Sequence, residues 1–225
     1  MNKTAIRDAA TLIIIRDQGT DPAVLMGQRG ATAAFMPGKF VFPGGAVDVN
    51  DATIPVGRLD AVSETRLALD SALPAQALVA AAIRELWEET GQILGQPDNW
   101  PDAPPGWRGF AATGHRPHGQ ALEFFFRAVT PKGRPRRFDA RFFLADADKL
   151  TTDPDDFSGA EDELSHLQWI RLADARNFDL PFITQVVLGE LMTHVARGGP
   201  VPSVPFFRND DEAHLISRLG GKQLL

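Results

Sequence analysis

Arg84-Glu85-Leu86-Trp87-Glu88-Glu89-Thr90-Gly91 is the stretch from which the rest of this chain is read. On a helix, residues 85, 88 and 89 stand at i, i+3 and i+4, so their carboxylates point to one side. Three acids gathered there repel one another and cost stability unless a cation sits among them. Hard oxygen ligands of this kind suit magnesium or manganese. Arg84 precedes Glu88 by four residues, the separation at which a guanidinium braces a carboxylate. The plainer reading of a glutamate-rich helix is a solvated, charged face, so the assignment depends on the neighbouring sequence.

That neighbourhood is helical. Ala75 to Thr90 is rich in alanine, leucine and glutamate, Pro74 suits a first-turn position, and Gly91 suits the left-handed residue that ends a helix. Upstream, Thr11–Arg16 and Ala23–Met26 flank the polar turn 17–22 and read as a hairpin-like pair of strands. Phe40-Val41-Phe42 is a third short strand, followed by Pro43-Gly44-Gly45, where paired glycines let a ligand approach the backbone. Residues 47–73 are weakly patterned, with a short helix around Leu59–Leu69, and read as an insertion over the surface. Downstream, Leu122–Val129, Phe138–Leu144 and Leu167–Ile170 read as strands, and an acidic loop spans Asp146–Glu163. Leu172–Arg176 begins a helix. Pro181–Val195 is an amphipathic helix with Ile183, Val186, Val187, Leu191 and Val195 on its apolar face. From Gly198 onward, with prolines at 200, 202 and 205, the tail reads as loop.

Composition narrows the function classes. A chain of 225 residues, 44% hydrophobic, buries a substantial core and is read as one domain over 1–225. The net charge of -6 gives no reason to expect nucleic acid or an anionic membrane as partner. There is no cysteine, which excludes disulfides and thiolate metal sites. The aliphatic run Leu12–Ile15 is too short for a signal core or a membrane span, and Lys222-Gln223-Leu224-Leu225 does not match the peroxisomal address, so a soluble, cytoplasmic protein is expected.

Two stretches together, Phe42-Pro43-Gly44-Gly45 and the Arg84–Gly91 segment, resemble the Nudix box. The resemblance implies an α/β/α sandwich with a mixed sheet, magnesium or manganese on Glu85, Glu88, Glu89 and the Gly45 carbonyl, and catalytic roles for Arg84, Glu85 and Glu88. There are two departures. The usual box has thirteen residues between glycine and arginine, whereas Gly45 and Arg84 enclose thirty-eight, implying an insertion of twenty-five at about 47–73. Eight positions before the arginine, where the first glutamate is customary, stands Gln76, and the aliphatic residue after the last glycine is Gln92. Asp48 or Asp51 is a substitute ligand on this reading.

The interrupted box, with Phe35–Gly45 and Pro135–Phe143, is similar to a Nudix subgroup related to peroxisomal coenzyme A diphosphatases; the likeness spans roughly residues 10 to 195. It implies hydrolysis of the diphosphate linkage of a nucleoside-diphosphate derivative, coenzyme A or acyl-coenzyme A being favoured. An ADP-ribose or dinucleotide pyrophosphatase, or a non-catalytic nucleotide sensor, is the alternative. Glu163, six residues before Trp169, is the candidate fourth carboxylate that activates water, with Glu161 its rival and an ordinary loop acid the plainer reading. Arg134, Arg136, Arg137 and Arg141 are the one basic cluster. Arg136, Arg137 and Arg141, with Gly44, are expected to hold substrate phosphates, a solvated strand edge being the alternative. The expected partner is the small-molecule substrate. A homodimer is left open.

Overall fold

The computed structural model describes residues 5–33, 35–208 and 216–218. Its main sheet has nine strands among the described residues, in the order β11 (Ile216–Arg218), β10 (Pro205–Phe207), β7 (Glu123–Val129), β8 (Arg137–Asp146), β1 (Ile6–Arg16), β2 (Ala23–Arg29) and β3 (Phe40–Val41), with β4 (Gly44–Ala46) also on β1 and β9 (Leu164–Arg171) also on β2. At its centre lies β1 (Ile6–Arg16), parallel to β8 (Arg137–Asp146) from Ile6 to Ile15 and antiparallel to β2 (Ala23–Arg29). Leu12 to Ile15 are wholly buried, as expected of a central strand covered on both faces. The strand begins five residues before the apolar run suggests. Ile6–Ala10 is held by its ladder to β8 and not by its own propensity.

Alternation along β1 divides the core. Ala10, Leu12 and Ile14, with Phe143 and Ala145 of β8, pack towards α2 (Ala75–Thr90), while Ile13 and Ile15, with Phe142 and Leu144, pack towards α4 (Phe182–Arg197). The result is a mixed sheet between helical layers, as expected. On the α2 side, Leu78 to Ile83 are all at most 1% exposed, so this helix is enclosed nearly all round. Alanines at 77, 80, 81 and 82 allow that close approach.

Residues 47–73 form part of this enclosure. They contain a 3-10 turn at Val49–Thr53 and α1 (Ala61–Leu67), close to the expected short helix. Ile54, Val56 and Leu67 are buried in the same cluster as Leu78 and Val79, so the segment adds to the core instead of only lying over the surface. Beyond α2, β5 (Gly95–Pro97) and β6 (His115–Pro117) pair as a small second sheet around α3 (Arg108–Ala112); the sequence gives these elements little patterning.

β7 (Glu123–Val129) and β9 (Leu164–Arg171) fall where strands are expected, and the turn after β9 is a 3-10 helix at Leu172–Asn177. The tail requires a correction. Its prolines suggest loop throughout, yet β10 (Pro205–Phe207) lies parallel to β7, pairing Phe206 with Arg127, and β11 (Ile216–Arg218) adds to its outer edge. A proline as first strand residue costs no ladder bond that matters. Val201, Val204, Phe206 and Phe207 are all buried. Residues 209–215 and 219–225, including Lys222–Leu225, lie outside the described residues. No described helix is long and apolar enough to cross a membrane.

Candidate active site on helix α2

Arg84 organises the site. Its Nη1 donates to Glu85 Oε1 at 2.8 Å and to Glu88 Oε2 at 2.9 Å, so it braces Glu88 across one helical turn as expected. Nη2 donates to the Ala46 carbonyl at 3.0 Å and to Asp51 Oδ2 at 3.1 Å, and Nε to Asp51 Oδ1 at 3.2 Å. This side chain therefore ties α2 to β4 (Gly44–Ala46) and to the following turn. Burial by itself depresses the Arg84 pKa, but the Asp51 bond and the charges of Glu85, Asp51 and Glu88 outweigh it and hold the arginine charged.

Asp51 corrects the count that points to Gln76. Taken backwards from Arg84, the first acid of the box falls on Gln76, which reaches only the Ala52 carbonyl at 3.3 Å. Taken forwards from Gly45, with the same five intervening residues, it falls on Asp51. Asp51 is fully buried, and its oxygens are used by Arg84 and by the Asp48 N–H at 2.8 Å. It clamps the arginine and is not a spare cation ligand.

Gly44 and Gly45 are required sterically. A Cβ on Gly44 would stand 2.6 Å from Thr11 Cα, and one on Gly45 would stand 2.5 Å from Glu85 Cδ. Glu89 reaches the same strand, its Oε2 accepting the Gly44 N–H at 2.7 Å. Its Oε1 is buried without a hydrogen-bond partner, an arrangement that normally costs free energy. Burial pushes the Glu85 pKa up to about 7 against the pull of Arg84, with the charges of Glu88 and Glu163 adding to the rise. Glu88 is raised by burial too, and Glu89 is raised well above the usual carboxylate range by burial and by the Glu85 charge.

Among the described residues no three acidic or imidazole side chains form a preset cation cage, because Arg84 draws one oxygen each from Glu85 and Glu88. The donor set nevertheless fits a divalent cation. An orphaned buried carboxylate oxygen and three acids that resist ionisation are both relieved by positive charge.

The acidic loop after β8 completes the arrangement. Gln92, the departure from an aliphatic residue, is wholly buried and donates to the Asp153 and Asp156 carbonyls at 3.1 and 2.8 Å, fastening the loop to the end of α2. The Glu161 N–H bonds the Glu88 carbonyl at 2.8 Å, and the Glu161 charge acts on Glu88. The Glu163 charge acts on Glu85 and Glu89. Both rivals are thus near the helix acids. Glu163 alone accepts an ion pair there, from Arg29 Nη2 at 2.7 Å. Sequence reasoning missed Arg29, whose only signal is a single cation closing an apolar strand.

The basic cluster does not assemble at this site. Arg141 is buried and uses its guanidinium on Asp8 at 2.5 Å, the Asp139 carbonyl at 2.9 Å and Ser71 at 3.3 Å, so its expected phosphate contact is withdrawn. Strand alternation turned it inward. Arg137 Nε donates to the Thr130 carbonyl at 3.1 Å, and Arg134 and Arg136 are exposed in the turn. In register Arg137 faces Ile6, four residues along β1 from Ala10, which pairs Gly45; that is about 13 Å of strand.

Residues 71–187, just over half of the chain, match the NUDIX domain family. A Caenorhabditis elegans protein carrying the name nudix hydrolase 7 is 30% identical over 177 residues, which are 73% of this chain and 51% of that protein; the chain therefore aligns with about half the length of this relative. A solved NUDIX hydrolase from Alicyclobacillus acidocaldarius is 29% identical with a TM-score of 0.61, covering 85% of this chain and 93% of that one. A MutT NUDIX hydrolase from Burkholderia pseudomallei has the fold at 18% identity and a TM-score of 0.50, covering 83% and 98%.

Proposed function

Given that the chain belongs to the NUDIX domain family, we propose that it hydrolyses the diphosphate linkage of a nucleoside-diphosphate derivative. The observation that carries this reading is the buried, unpartnered Glu89 Oε1 beside Glu85, with Glu88 one turn away and all three anchored by Arg84 or by the Gly44 N–H. Glu85, Glu88, Glu89 and the Gly45 carbonyl would hold magnesium or manganese. Such a cation neutralises the diphosphate oxygens and acidifies the attacking water.

The protein's own groups do the rest. Arg84 fixes the directions of Glu85 and Glu88. Glu163 takes the proton as the water oxygen bonds to phosphorus and the P–O bond of the leaving phosphate breaks. The missing Cβ atoms of Gly44 and Gly45 keep β4 against the carboxylates.

Coenzyme A or an acyl ester is our favoured substrate, giving 3',5'-ADP and a phosphopantetheine product, on the likeness of residues 35–45 and 135–143. An ADP-ribose or dinucleotide substrate is the second reading, favoured by the internal pairing of Arg141. Purified protein is to be assayed with magnesium against coenzyme A, ADP-ribose, NADH and sugar nucleotides, beside Glu88→Gln and Glu89→Gln. Hydrolysis of one class, with kcat lowered ~10²–10⁴-fold in each variant, is expected; parental rates in either variant remove that residue from the site. Arg136→Ala or Arg137→Ala is expected to raise KM for coenzyme A about tenfold and leave 3'-dephospho-coenzyme A nearly unchanged, the worth of one charged hydrogen bond. Equal losses on both compounds refute 3'-phosphate recognition by that arginine.

A further inference from the structure

Glu163 leaves the end of β9 at a place set by an irregularity in the sheet. Down β2 and β9 the register runs Met26 with Gln168, then Gln28 with Ser165, so β9 carries one residue more than its partner. The surplus falls at His166–Leu167, and His166 adopts a left-handed backbone (φ 51) that few residues other than glycine adopt. Opposite it is Gly27, where a Cβ would stand 2.8 Å from Leu167 Cδ2 and 2.9 Å from Leu164 Cβ. Glycine at 27 thus lets the bulged strand close on β2. Pairing resumes at Gln28 with Ser165 and continues to Arg29 with Leu164, which leaves Glu163 next to that arginine.

The arginine is not an ordinary surface partner. Its side chain is only 18% exposed, whereas that of Glu163 is 54% exposed, and Nη2 reaches Glu163 Oε1 at 2.7 Å. The backbone on both sides of Arg29 is fixed, its N–H bonding the Lys39 carbonyl at 2.9 Å and its carbonyl accepting the Gly38 N–H at 3.0 Å. Its Nε is buried with no acceptor. The charge of Arg29 also reaches Glu89, which links both ends of the pair to the carboxylates of α2.

We propose that Arg29 is a positioning residue that holds Glu163 within electrostatic reach of Glu85 and Glu89, the His166–Leu167 bulge against Gly27 setting the register that brings arginine and carboxylate together. This rests on the reading of Glu163 as the group that takes the proton from water.

The test is a cycle of Arg29→Ala, Arg29→Lys, Glu163→Gln and the double variant Arg29→Ala/Glu163→Gln, with kcat and KM measured on the best substrate and melting temperature as the check on folding. Glu163→Gln is expected to lower kcat ~10²–10⁴-fold, and Arg29→Ala to lower kcat by at least about tenfold with KM within about twofold. Arg29→Lys should recover part of the loss, and the double variant should be no slower than Glu163→Gln, because a residue that acts through another adds nothing once that other is gone. Gly27→Ala, which keeps both charges and wedges the strands apart, should lower kcat in the same way and serves if Arg29→Ala does not fold. An unchanged kcat in Arg29→Ala, a rise in KM alone, or an equal further loss in the Glu163→Gln background overturns the proposal. Parental kcat in Glu163→Gln while Glu88→Gln is inactive overturns it and leaves the hydrolase reading intact. Absence of diphosphate hydrolysis by the parent overturns both.

Discussion

At the residue scale the carboxylates of α2 cost stability in the metal-free state, and the sign of their pKa shifts makes this measurable. Glu85 is pushed up to about 7 from 4.5 by burial, so the folded protein retains a proton that the unfolded chain loses. Stability from such a group is complete below about 4.5 and is lost as pH rises through about 7. In chelator, Glu85→Gln should therefore gain on the parent in melting temperature as pH rises across that window. A constant difference would remove Glu85 as the source. Asp51 instead contributes stability through its contact with Arg84. Both its oxygens meet Arg84, and Asp51→Ala leaves that guanidinium buried with less to balance it. Denaturant unfolding should show a loss of roughly 3–5 kcal/mol, the range for breaking a buried pair from one side; under about 1 kcal/mol would mean that Glu85 and Glu88 suffice.

The element scale shows how α2 is joined to the loop beyond it. Gly91 ends the helix in the left-handed region (φ 74), with its N–H on the Trp87 carbonyl at 2.8 Å. A Cβ there would stand 3.0 Å from the Gly159 backbone, which belongs to the loop carrying Glu161 and Glu163. Gly91→Ala is expected to cost at least ~1 kcal/mol from conformation alone, and more if Gly159 has to move. It should also lower kcat, because the displaced loop takes Glu163 with it. Reduced stability with unchanged kcat would show that the helix end and the loop are independent.

For the whole molecule, the α2 acids, β4 and the Glu163 loop meet around one candidate cation site, so a divalent cation should act as a ligand of the folded state only. Millimolar magnesium or manganese is expected to raise the melting temperature of the parent, since a ligand at 100 times its Kd adds about 2.7 kcal/mol. Glu89→Gln should abolish most of that gain while melting no lower than the parent in chelator. Equal gains in both proteins would place the cation elsewhere.

The sequence by itself determined α2 to the residue, through alanine content, Pro74 and Gly91, and it marked Glu85, Glu88 and Arg84 because helical spacing is a local property. It also located β2 and β8, whose apolar runs carry their own signal, while leaving Ile6–Ala10 and β10 unread, since both are strands only by virtue of a neighbour in the ladder. Tertiary structure alone decided which residues join the helix acids. Asp51 reaches Arg84 across 33 positions and Arg29 reaches Glu163 across 134, while Arg141 is taken out of solvent by pairing with Asp8 across 133. Pairings over such distances in sequence are set by register and packing, which leave no local pattern in the chain.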